Sequence, residues 1–176
     1  MVELTSGRLR LRRWSEADRG PFRRMGSDSR VMEFMPALLT ETEADALAAR
    51  YAAAIAECGW GLWALEVPGV AEFGGFVGLN RPVVELPFGP CVEVAWRLDP
   101  ALWGRGYATE AARAALDYGF AILKLNEIVS FTALPNLRSQ AVMRRLGMLP
   151  AGEFDHPTLP DSHWLRRHVL YRKTAP

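Results

Sequence analysis

Cysteine is scarce: Cys58 and Cys91 are the only two in 176 residues, with no CxxC pair and no Cys/His cluster. That excludes a disulfide framework and a zinc-type site, and the two thiols are expected to be reduced in a cytoplasmic protein that holds no metal. Charge of one sign is also missing. The formal net charge is +1, which gives no electrostatic reason for a nucleic-acid or anionic-membrane partner. No apolar run approaches the roughly 20 residues that span a bilayer. The N-terminal stretch "MVELTSGRLRLRRW" lacks the apolar core of a signal peptide. Linkers, repeats and low-complexity tracts are absent too. What is present, 49% hydrophobic and 23% charged residues, suits one globular domain over residues 1–176.

Periodicity organises that domain. In "GRLRLRRW", Arg8, Arg10 and Arg12 alternate with Leu9 and Leu11, the signal of a strand with one wet face. Ser15 and Glu16 open a short helix with Asp18 in its first turn. A longer helix is expected over residues 41–57, capped by Thr40 and ended by Gly59. Three strands follow in "GLWALEV", "EFGGFVGLNRP" and "CVEVAWRL", separated by Pro and Gly. A helix over 104–123 leads to the strand "EIVSFTA". A helix over 136–146 then runs from an Asn136 cap to Gly147. Strands near 148–154 and 166–173 close the chain. The order βααβββαβαββ describes a mixed α/β domain, in which strands separated by the two later helices can pair in parallel.

The stretch Trp103-Gly104-Arg105-Gly106-Tyr107-Ala108 carries the first chemistry. The opening amides of a helix have no intrahelical acceptors, and with the helix dipole they form an anion site. Glycine lets a phosphate approach the backbone, and Arg105 adds positive charge. Ala108, Ala111, Ala112, Ala115 and Leu116 form one stripe suited to close packing on a sheet. A Walker loop is excluded because no Lys-Ser or Lys-Thr follows the glycines. A dinucleotide fingerprint fails at Thr109, where a third glycine belongs, and Glu127 begins a strand instead of ending one. For a bare glycine pair, a tight turn without a ligand remains the alternative.

Further segments weigh against that alternative. "RLRLRRWSEAD", "GFVGL", "VEVAWRLDPALWGRGYATEA" and "NLRSQAVMRRLGM" span nearly the whole chain in order. Together they resemble the GNAT superfamily of acetyl-CoA-dependent N-acetyltransferases, and within it the RimJ/RimL-like branch. The family signature usually begins with Gln or Arg where this chain has Trp103. The resemblance implies a twisted mixed sheet with helices on both faces. Its fourth and fifth strands splay into a V that takes acetyl-CoA. Cofactor contacts are implied for Trp96, Arg97 and Leu98 on the strand. They are implied also for Trp103, Gly104, Arg105, Gly106, Tyr107, Ala108 and Thr109 at the turn, and for Asn136 and Ser139 on the next helix. The implied partners are acetyl-CoA and an amine acceptor, either a protein N-terminus or a small-molecule amine, with assembly as a homodimer left open.

Acetylating an amine requires an unprotonated nitrogen, a polarised thioester carbonyl and a proton for the departing thiolate. On "CVEVAWRL", Cys91, Glu93, Ala95 and Arg97 share one face, while the apolar Val92, Val94, Trp96 and Leu98 share the other. Glu93 matches a glutamate that serves as general base in relatives; its alternative is a carboxylate paired with Arg97 or an arginine of the first strand. Backbone amides near Leu98 are implied to polarise the acetyl carbonyl. Relatives often place a proton-donating tyrosine where Met143 stands, so Ser139, on the same side of its helix, is the candidate acid. Asn136 and Ser139 can equally form a cap pair. Arg138, Arg144 and Arg145 are candidates for phosphate contacts or plain solvated charges. Phe34, Met35, Trp60, Glu93 and His156 are the candidate acceptor contacts. A domain that binds acyl-CoA as a sensor, without catalysis, is the second functional reading, favoured by the missing tyrosine and opposed by Glu93 and Ser139.

Overall fold

The alternation at the start of the chain becomes strand β2 (Arg10–Arg12), in which Leu11 is buried and Arg10 exposed. A computed structural model describes residues 2–176. Ahead of β2 lies a further short strand, β1 (Leu4–Thr5), paired antiparallel with it. Two residues are too few to show a period, so the sequence carries no sign of it. The sheet continues antiparallel through β3 (Leu62–Glu66), β4 (Gly75–Asn80) and β5 (Glu93–Leu98). It is completed by β6 (Glu127–Ala133), β7 (Leu149–Asp155) and β8 (Arg167–Thr174). The eight strands run in the order β1-β2-β3-β4-β5-β6-β8-β7, and β5–β6 is the parallel pair.

Strand alternation distributes the helices. Leu62 and Phe76 turn to the face covered by α1 (Arg19–Ser27) and α2 (Glu41–Cys58), where Phe22, Ala44 and Ala48 meet them. Their neighbours Trp63, Leu65 and Val77 turn to the opposite face. There α3 (Tyr107–Ala121) presents Ala111, Ala112 and Ala115, small enough to bring helix and sheet close. Met143 of α4 (Leu137–Arg145) joins that same core. α2 begins in a capping box: Thr40 Oγ1 accepts from Glu43 N–H (3.3 Å), and Glu43 accepts in return from Thr40 N–H (2.8 Å). Such a cap contributes about 1 kcal/mol.

The arginines on the wet face of the first strands are tied down in turn. Arg8 bridges to Glu110 (2.7 Å), while Arg12 meets both buried Asp18 (2.8 Å) and Glu66 (2.9 Å). The Asp18 carboxylate is the main reason the Arg12 guanidinium is held above its usual value.

One feature of the sheet decides where a ligand can enter. β5 and β6 share a single register pair, Glu93 with Val129. Val129 N–H donates to Val92 O (2.9 Å), and beyond it the Ser130 hydroxyl donates to Val94 O (3.0 Å). Past that side-chain link the strands part. Odd-numbered residues of β5 bond towards β4, as the next in the series, Asp99, shows by donating to Gly74 O (3.0 Å). The amides of Trp96 and Leu98 therefore face the gap.

Candidate functional site

The gap opens into a cleft of about 1510 Å³ that continues past the start of α3 on one side and, on the other, along the segment between α1 and α2 to Arg50 and Tyr51 of α2. Glu93 sits where the strands begin to part. Asn80, its register partner on β4, donates from Nδ2 to Glu93 Oε1 (2.7 Å). Protein atoms surround the carboxyl even though it opens onto the cleft, and burial pushes its pKa up to about 7, against a smaller downward pull from the Asn80 hydrogen bond. No ion pair to Glu93 occurs among the described residues, so the salt-bridge alternative does not hold. A carboxyl that titrates near neutrality, with one oxygen held and the cleft before it, is suited to accepting a proton.

At the other end of the gap the glycine turn takes the shape that its composition implies. Gly104 and Gly106 have φ of +74° and +81°, the left-handed region that disfavours side chains. That conformation keeps them out of the helix, which begins at Tyr107 and not at 104. The first helical bond runs from Glu110 N–H to Gly106 O (3.0 Å), leaving the amides of Tyr107, Ala108 and Thr109 without helical acceptors. Trp103, Gly104, Gly106, Tyr107, Ala108 and Thr109 all line the cleft. Arg105 does not: its side chain is exposed, and its carbonyl accepts from Arg8 (3.2 Å). Trp103 locks the turn to the strand by donating from Nε1 to Leu98 O (2.9 Å). The strand amides and the open helix start can together hold an extended ligand that carries an anionic group.

On α4, Asn136 caps the helix by accepting from Ser139 N–H (3.2 Å), as the cap-pair reading requires. The Ser139 hydroxyl lines the cleft and has no partner among the described residues. Met143, one helical turn further on, is buried.

The expected acceptor residues separate. Phe34 and Met35, between α1 and α2, line the cleft, and His156 lines it from the β7 side, with its ring 4.9 Å from that of His168. Burial lowers the pKa of both imidazoles. Trp60 is a correction: it is buried in the main core, with the Arg81 guanidinium 4.8 Å from its ring, and does not reach the cleft. An aromatic ring just before a strand looks the same in sequence whether it faces core or pocket. Arg97 is also displaced from the expected cofactor side. Its N–H points towards β4 and its guanidinium lies 5.3 Å from the Phe76 ring, on the α1–α2 face. Asn80, Tyr51 and Ser130 escaped sequence reasoning; they reach the cleft through cross-strand register and helix packing, which no local pattern encodes.

Comparison with known proteins matches residues 8–149 to the acetyltransferase (GNAT) domain family. The chain is 28% identical over 165 residues to an uncharacterized N-acetyltransferase, YnaD, of Bacillus subtilis (strain 168), covering 93% of this chain and 92% of that one. A GNAT-family acetyltransferase structure from Bacillus anthracis superimposes with a TM-score of 0.81 at 24% identity, over 98% of each chain. RimL, a ribosomal L7/L12 alpha-N-protein acetyltransferase solved with coenzyme A, has a TM-score of 0.77 at 14% identity, over 99% of this chain and 98% of that one.

Proposed function

The chain belongs to the acetyltransferase (GNAT) family and is an N-acetyltransferase at that level, and from this premise we propose which residues do the work and on what. Acetyl-CoA supplies the acetyl group as a thioester. The free amides of Trp96 and Leu98 hold the chain that carries it, and the amides of Tyr107, Ala108 and Thr109 hold its pyrophosphate. The acceptor is a primary amine, entering beside Phe34 and Met35. Glu93 takes the amine proton, the new C–N bond forms as the C–S bond breaks, and Ser139 passes a proton to the departing sulfur. A thiol is only weakly acidic, near ~8.5, so a hydroxyl relaying a proton suffices where relatives use a phenol. Ser139 as the proton donor, with Met143 where relatives carry that phenol, is also what supports a RimJ/RimL-like reading.

The observation that carries this reading is the Glu93 carboxyl, poised near neutrality where the strands part. A sensor that had lost its chemistry would have no use for such a group. The test follows thiol release with a panel of N-terminal peptides and small primary amines, for the wild type and Glu93→Gln. Turnover falling by ~10²–10⁴-fold with acetyl-CoA affinity retained is the expected result. Undiminished turnover in the variant would remove Glu93 from the mechanism.

A further inference from the structure

Beyond Glu93 the far side of the cleft is cationic: Arg30, Arg50 and Arg97 line it, and while Arg30 pairs with Asp28 and Arg50 meets Tyr51, Arg97 has no carboxylate partner among the described residues. Arg97 shares a face of β5 with Glu93, four residues on, about 13 Å along the strand. Its Nη1 is buried with no hydrogen-bond partner, and Nη2 reaches only the thioether of Met35 (3.4 Å). Sulfur is a weak acceptor. No carboxylate pairs with Arg97 among the described residues, and burial lowers its pKa from the usual arginine value. Arg50, also lining the cleft and also without an ion pair among the described residues, lies 5.6 Å from the ring of Tyr51. Tyr51, which also lines the cleft, feels the charges of both Arg97 and Glu93.

A buried guanidinium with an unmet donor is costly, and removing one partner of such a charge typically costs several kcal/mol. A folded protein that keeps one facing a cleft has left room for an anion supplied from outside. We infer that the acceptor is a primary amine whose far end carries a carboxylate, gripped by Arg97 in place of the Met35 thioether while the amine lies at Glu93. This rests on the acetyltransferase reading and narrows its substrate class. A polyamine would bring a second ammonium against Arg97 and Arg50 and is disfavoured by the same geometry. The strand spacing favours amine and carboxylate on separate carbons, as in an ω-amino acid or in a peptide with an acidic side chain near its N-terminus.

The experiment compares matched pairs: ω-amino acids of three to six carbons against their carboxamides, and C-terminally amidated peptides with Asp or Asn at the second position. These two arms distinguish a small-molecule source of the carboxylate from a peptide one. With the wild type, the carboxylate member of one series should have kcat/KM about 10- to 100-fold above its amide. The preference should vanish in Arg97→Gln and survive in part in Arg97→Lys, with acetyl-CoA affinity unchanged in both as evidence of folding. Equal use of carboxylate and carboxamide by the wild type, or a preference that persists in Arg97→Gln, overturns the inference and leaves the acetyltransferase reading intact. If no amine turns over, calorimetry of the same carboxylates with CoA-loaded protein decides. Binding to the wild type and not to Arg97→Gln sustains the anion site while the transfer reading falls; no binding overturns the site as well.

Discussion

Glu93 couples chemistry to stability, and the sign of that coupling can be worked out. Its folded pKa is about 7 against an ordinary value of 4.5, so between these values the folded protein binds more protons than the unfolded chain. The stability this gives is complete below pH 4.5, falls as pH rises to about 7 and is flat beyond. Its full size is on the order of 3 kcal/mol. Glutamine imitates the neutral carboxyl, so Glu93→Gln keeps what the wild type loses. Urea midpoints of the ligand-free proteins should therefore nearly coincide at pH 4.5 and separate in favour of the variant at pH ~8. A gap of constant size at both pH values would mean that Glu93 titrates normally. The same group should give the wild type a rising limb in kcat near neutrality that Glu93→Gln lacks.

At the level of elements, β5 and β6 show what a side chain can do where a ladder ends. Ser130 is buried, and its hydroxyl satisfies Val94 O at the last point before the strands separate. Ser130→Ala leaves that carbonyl without its donor, at a cost of about 1–3 kcal/mol. Hydrogen exchange of the Val129 amide, one residue away in the only register pair, should accelerate more than that of Ile128 and its neighbours paired to β8. Uniform exchange across β6 would deny Ser130 this local role. The contrast explains what was legible in the sequence. Alternating Arg and Leu, the Thr40 cap and the alanine stripe of α3 are local, and each marks its element within a residue or a few. Glu93 stood out because its strand face is otherwise readable. The end of the β5–β6 ladder, the Asn80 partner and the core position of Trp60 depend on register and packing between distant segments, and no local period records them. Arg97 falls among the expected cofactor contacts because its strand does, although alternation turns its side chain to the other face.

At the scale of the whole molecule, the two sides of the β5–β6 gap are also linked by side chains across the cleft. Arg138 of α4 pairs with Glu33 from the segment between α1 and α2, and its guanidinium lies 4.7 Å from the Trp103 ring and 5.6 Å from the Phe34 ring. Phe34, Trp103 and Arg138 all line the cleft, so this contact lies across the path of anything bound in it. The pair is more than 40% exposed on each side, so its own worth is about 0–1 kcal/mol, and stacking on the rings adds about as much again. That is too little to hold the fold together and enough to slow a ligand's departure. Arg138→Ala should therefore leave the thermal midpoint nearly unchanged while acetyl-CoA dissociates about 3- to 10-fold faster in stopped-flow. Salt should speed release from the wild type more than from the variant, because it screens an ion pair only the wild type has. Arg138→Lys restores the charge without the planar stack and should fall between the two. If product release limits turnover, kcat rises in Arg138→Ala as KM for acetyl-CoA worsens. Dissociation rates equal in all three proteins would show that the cleft opens without disturbing this bridge.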